Sequence, residues 1–120
     1  MERPTDIKDR TFEFALRIVD LSDKLPDTVA GKRIADQLLR SGTSVGANIE
    51  EATAASSKDD FAYRVSISLR EARETNYWLR ILKARTTMMK VDVDDMVQES
   101  EELKKILGAI VSKARGKRKS

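Results

Sequence analysis

The sequence predicts an all-α protein, an antiparallel up-and-down four-helix bundle, and three observations carry that expectation. Four segments repeat apolar residues at alternating three- and four-residue steps, the spacing of one helix face. Short breaks rich in proline, serine and aspartate separate them, which suits antiparallel neighbours. No run alternates convincingly with period two, so no sheet is expected.

The first helix is expected from about residue 6 to residue 25. Ile7, Phe14, Ile18, Leu21 and Leu25 mark its inward face, and Pro26 ends it by forcing the preceding residue out of the helical region. The second starts at Asp27 or Thr28, either of which can cap it. Its seam reads Ala35, Leu38, Gly42, Val45, Ile49 and Ala52. That seam runs through "RSGTSVGANIEEA", residues 40–52, a window of poor helix formers. A loop would have no reason to keep helical register through Gly42 and Gly46. Each glycine costs about 1 kcal/mol relative to alanine inside a helix, so close approach of a neighbouring helix is expected at both. A phosphate-cradling loop is the competing reading. It needs G-x-x-x-x-G-K-[ST] after a strand, whereas these glycines lie four apart with no lysine after them.

The third helix opens with Ser57-Lys58-Asp59-Asp60, a capping box with aspartate in place of glutamate. It then runs unbroken to about residue 85, roughly 43 Å at 1.5 Å per residue. Phe61, Val65, Ala72, Leu79 and Leu82 form one seam, with Ile67, Trp78 and Ile81 on another side. The fourth begins near Asp92 and carries Val93, Met96, Leu103, Leu107 and Ile110 inward before fraying after Ala114. The bundle is assigned to residues 1–112 and a basic tail, expected to be disordered, to residues 113–120.

Composition narrows the function classes. A chain of 120 residues is one domain, long enough to bury about two-thirds of its unfolded surface without staples. It contains no cysteine and no histidine. Disulfides, thiolate nucleophiles, Ser-His triads and the usual zinc sites are therefore unavailable. The chain is read as non-enzymatic and free of cofactors. The longest apolar run covers residues 106–111, far short of the about 20 residues that span a bilayer. The charged start lacks a signal peptide's apolar stretch, and the cytoplasm is the expected location.

Charge is unevenly placed. Lys113, Arg115, Lys117, Arg118 and Lys119 are five of the 23 basic residues; the remaining 18 face 20 acidic ones, leaving a body at −2. Basic arms of this kind grip phosphate backbones by counterion release, and they also serve as solubilising ends. With no aromatic to stack on bases, any grip on RNA or DNA is expected to be weakly sequence-specific. The cations from Arg80 to Lys90 and the acids that open the fourth helix are explained by helix dipoles instead.

Two further constellations are candidate sites. Ser44, Asn48 and Glu51 line up at i, i+4 and i+7 beside the second seam, and Arg70, Glu71, Arg73 and Glu74 crowd one region of the third helix. A hard-cation site from Glu51, Glu71 and Glu74 is conceivable, but nothing in the spacing demands a metal. A hydrogen-bond network, within or between subunits, is the favoured reading. Surplus apolar residues, Phe12, Leu16 and Val19 on helix one and Trp78 on helix three, suggest self-association.

"RSGTSVGANIEEA" followed by "SSKDDFAYRVSISLREARETNYWLRIL", residues 56–82, resembles the signature of the bacterial four-helix-bundle family named for proteins encoded in intervening sequences of 23S rRNA genes. The likeness covers roughly residues 12–111 and is densest over 37–82. It implies an antiparallel bundle assembled into a homopentameric ring, with Ser44, Asn48, Glu51, Glu71, Glu74 and Trp78 at signature positions and no catalytic residues. Arg70 stands where family members often carry lysine. The accessory protein of diversity-generating retroelements looks like a distant relative, and there a pentamer binds nucleic acid and a reverse transcriptase. The basic tail lies outside the family pattern. The functional expectation is an oligomeric bundle that contacts RNA or DNA phosphates through its C-terminal arms; the alternative is a scaffold for a protein partner.

Overall fold

The computed structural model describes residues 4–85 and 93–116. Four helices follow in order: α1 (Pro4–Asp23), α2 (Val29–Thr53), α3 (Lys58–Ala84) and α4 (Asp94–Ala114). Each runs antiparallel to the next, in a rod with extents of 47 × 24 × 24 Å.

Local chemistry sets the ends. Helix α1 stops at Asp23, two residues before the expected limit, and the chain tightens into a turn in which Lys24 N donates to Leu21 O and Leu25 N to Ser22 O. Pro26 follows, so the helix has to be left before it. Thr28 caps α2, its hydroxyl oxygen accepting from Gly31 N at 3.0 Å. Ser57 caps α3 in the same way, accepting from Asp60 N at 3.0 Å. These bonds satisfy amides that no helical carbonyl reaches. Helix α4 starts at Asp94, after Val93, which provides no side-chain cap; Asp92 lies outside the described residues.

The expected seams form the core, except that on α2 Ile34 is buried in place of the expected Ala35, which is half-buried. Phe14, Ile18, Leu38, Val45, Leu79, Leu82, Leu103 and Leu107 are all fully buried. Leu25, Phe61 and Ile110 pack at its edge, and Val111 supplements Ile110 on the inward side of α4.

Helix α2 is continuous from Val29 to Thr53, straight through both glycines. Alanine at residue 42 would place Cβ 2.8 Å from Ile18 Cγ1 and Cγ2, and at residue 46 it would lie 3.1 Å from the Thr11 carbonyl oxygen. The glycines therefore let α1 settle against α2, side chain first and then backbone. Phosphate cradling is overturned here, because these amides belong to a helix interior.

Helix α3 touches both α2 and α4, and its buried polar residues point to each. Ser68 donates to Val45 O at 2.7 Å, and Thr75 Oγ1 lies 2.8 Å from Ser41 Oγ on α2. Toward α4, Asn76 Nδ2 donates to Ser100 Oγ at 2.9 Å and to Glu101 Oε2 at 3.0 Å. Its Oδ1 accepts from Arg80 Nε at 2.9 Å and from Lys104 Nζ at 3.5 Å. Both ends of the amide are thus satisfied inside the bundle. Between α1 and α4 the tie is ionic: Arg10 grips Glu99 through Nε at 2.7 Å and Nη2 at 2.9 Å.

Candidate functional site

The signature positions divide between a packing role and an outer patch. Gly42 and Gly46 are buried against α1. Ser44 and Asn48 lie half-buried on the neighbouring face and bond backward along their own helix, Ser44 Oγ to Arg40 O at 2.7 Å and Asn48 Nδ2 to Ser44 O at 2.9 Å. Such bonds satisfy short polar side chains without help from another helix. Glu51 is exposed, and its side chain has no hydrogen-bond or ion-pair partner among the described residues.

Glu71, Glu74 and Trp78 come together on one side of α3, and the residue that unites them is Arg40. Its guanidinium donates from Nη1 to Glu71 Oε1 at 3.2 Å and from Nη2 to Glu74 Oε2 and to Gln37 Oε1, the last at 3.2 Å. Trp78 Nε1 donates to Glu74 Oε2 at 3.2 Å, and the Tyr77 ring meets Trp78 edge-on at 5.3 Å. The bond from Arg40 holds the Glu74 carboxyl below the ordinary carboxylate value, against a partial desolvation that pushes it up; the indole adds to the lowering. The same pair raises Arg40. A carboxylate held this way is a fixed acceptor and a poor proton carrier near neutral pH.

The sequence offers Arg70 and Arg73, on the same helix, as partners for the glutamates; the residue that meets them is Arg40 of α2. The signal was present: residues 40, 44, 48 and 51 fall at i, i+4, i+8 and i+11, one continuous stripe beside the buried seam. Glu51 sits far from Arg40 along that stripe and does not join the cluster, so the three acids considered for a cation are not gathered. Among the described residues no group of three or more His, Cys, Asp or Glu could hold a metal ion. No helix among them is long and apolar enough to cross a membrane.

The antiparallel order places the end of α4 beside the start of α1, the end of α2 and the start of α3. Lys113 lies in the last turn of α4 and Arg115 just beyond it; both are exposed and neither pairs with an acid among the described residues. Lys117, Arg118 and Lys119 lie outside the described residues. On α1, Phe12, Leu16 and Val19 form an outward apolar stripe, exposed by 57%, 45% and 39%.

A family model of 23S rRNA-intervening sequence proteins matches residues 3–109. Among solved structures, the chain is similar to a protein of unknown function from the S23 ribosomal protein family of Bacteroides thetaiotaomicron, at 38% identity and a TM-score of 0.81. That likeness covers 91% of this chain and 97% of the other. No curated protein matches. The helical passage through Gly42 and Gly46, the acids met by Arg40 and the four antiparallel helices, save the end of α4, fall within the matched span, and the chain belongs to the 23S rRNA-intervening sequence protein family.

Proposed function

We propose that this protein works without catalysis, as an oligomeric helical bundle that contacts RNA or DNA phosphates through its C-terminal arms. The observation that carries the reading is the concentration of five cations in residues 113–119, while the rest of the chain is slightly acidic. Lys113 and Arg115 support it by standing exposed at one end of the bundle with no acid committed to them among the described residues. Free cations of this kind exchange condensed counterions for phosphate contacts.

Binding of a mixed-sequence RNA, measured at two salt concentrations, tests this. Two variants are compared with the natural chain: one ending at residue 112, and one with Lys113, Arg115, Lys117, Arg118 and Lys119 all changed to Gln. Both should bind more weakly and lose about 0.9 of logarithmic salt slope per phosphate contact removed. Equal affinity for all three proteins would end the reading.

The assembly proposed is a ring of five, as the family likeness implies, and the exposed stripe of Phe12, Leu16 and Val19 supports self-association. A native mass near that of the 13.5 kDa single chain would refute it. A second reading, a scaffold for a protein partner, draws on the near-neutral body. Co-purification of a partner that survives nuclease treatment would favour it.

A further inference from the structure

We propose that an apolar cleft at the arm end of the bundle binds a fatty-acid-like ligand, one alkyl chain ending in a carboxylate. The cleft has a volume of about 920 Å³, within the roughly 300–1,000 Å³ of small-molecule sites. It lies at the end of the bundle where α1 begins and α4 ends. Ile49 and Ala52 of α2, Phe61 and Val65 of α3, and Ile106 and Ile110 of α4 form its walls. One turn along α1 from Ile7, the Arg10–Glu99 pair closes the seam between α1 and α4.

The rim supplies the sign of the charge. Among the described residues lining the cleft, Lys58 and Lys113 are the charged ones and none is an acid. They reach it from different helices, α3 and α4, both are exposed, and neither has an acidic partner among the described residues. An apolar body would fill the walls while its carboxylate met two uncommitted ammonium groups, a charge-assisted contact. A cationic amphiphile would meet like charge there. The turn between α2 and α3, with Ala55, Ser56 and Ser57 at the cleft's edge, bounds the space. That boundary favours one small chain over an α-helix, which is about 10 Å across and needs an open-ended groove.

The test uses the full chain and dodecanoate below its micellar concentration, with dodecanol and dodecyltrimethylammonium as probes of equal length. Dodecanoate should bind saturably, one per chain, and the cationic probe about ten- to a hundredfold more weakly, as loss of a charged hydrogen bond implies. Lys58→Glu with Lys113→Glu should weaken dodecanoate by a similar factor, leave dodecanol binding in place and keep the unfolding transition. Ala55→Trp, which fills the cleft from its rim, should abolish binding of both. Equal binding of the three probes, indifference to the charge reversal, or no saturable binding would overturn the proposal. So would a change of native mass in Ala55→Trp when the unsubstituted chain binds no dodecanoate, because the cleft would then be covered by a second copy.

Discussion

Alanine at residue 42 isolates the contact on which the α1–α2 interface rests. Two effects oppose each other. Replacing glycine inside a helix gains about 1 kcal/mol from reduced backbone freedom. The added Cβ, however, would stand 2.8 Å from two carbons of Ile18, where carbon atoms rest at about 3.5–4.0 Å. Ile18 is completely buried and has nowhere to retreat, so overpacking should cost about 1–3 kcal/mol. The net expectation for Gly42→Ala is a loss of up to about 2 kcal/mol. Gly108→Ala supplies the control, since nothing lies within 4 Å of its added Cβ. That variant keeps the backbone gain alone and should be more stable by up to about 1 kcal/mol. The difference between the two variants removes the shared backbone effect and leaves the overpacking cost. Urea unfolding at one fixed protein concentration measures it, the fixed concentration guarding against coupled assembly. Ile18→Val in the Gly42→Ala background should recover part of the loss, whereas alone it should destabilise. Equal stability of Gly42→Ala and Gly108→Ala would refute the tight contact. Gly42→Leu should be more damaging still, and a neutral result there would mean that residue 42 faces solvent.

Other predictions concern the polar ties. Asn76→Leu leaves Ser100, Arg80 and Glu101 short of a partner and should cost about 2–3 kcal/mol; in the same variant the Glu101 carboxyl, held low chiefly by the Asn76 amide, should titrate closer to its ordinary value by NMR. Arg10→Met should lose about 1–2 kcal/mol, most of it absent when Glu99 is already Gln, in a double-mutant cycle of unfolding energies. Glu74→Gln should cost about 0.2–1 kcal/mol, an exposed-pair magnitude. Because Glu74 is lowered in the folded chain from an ordinary 4.5, its contribution is complete above that value and fades as the pH falls through the folded one. The wild-type advantage over Glu74→Gln should therefore shrink below about pH 4.5; an advantage that persists undiminished to pH 2 would contradict the pairing with Arg40. Changing Phe12, Leu16 and Val19 together to Ser should lower the native mass while leaving helix content intact, since all three face outward.

Helix positions were legible because periodicity reports burial directly, and the seam residues are buried or pack against the core, save Ala35, which is half-buried while Ile34 beside it takes the core position. Helix α2 was the severest case. Its glycines argue against a helix by propensity, yet the register of Leu38, Val45 and Ile49 carried through them, and packing against α1 supplies what propensity withholds. What stayed hidden was the pairing between helices. Ser41, Ser68, Thr75, Asn76 and Ser100 are buried, but hydroxyls and amides occur on surfaces as readily, and period alone does not say which neighbour they meet. Arg40 was hidden for the same reason. Its stripe is visible in one helix, while its glutamates lie 31 and 34 residues away on another. A charge on the boundary between a buried and an exposed face reads as solvent-facing until the second helix is in place.

The arms and the apolar stripe gain meaning together through symmetry. Helix α4 ends at the same end of the rod at which α1 begins, so Lys113 and Arg115 stand at that end and the remaining cations follow them in sequence. The stripe of Phe12, Leu16 and Val19 lies along the side of the rod, on α1. Copies joined through that side and related by a rotation axis running along the rods would carry every arm to one rim. Weak phosphate contacts would then be linked, and linkage raises avidity by about 10²–10⁴ where the geometry lets the arms engage together. The consequence can be checked by separating the two features. Substituting the stripe should reduce RNA affinity although no cation is removed, and the loss should be smaller on a strand too short to reach a second arm. If the dissociated protein binds long and short strands as tightly as the assembled one, the arms act singly and assembly serves another purpose.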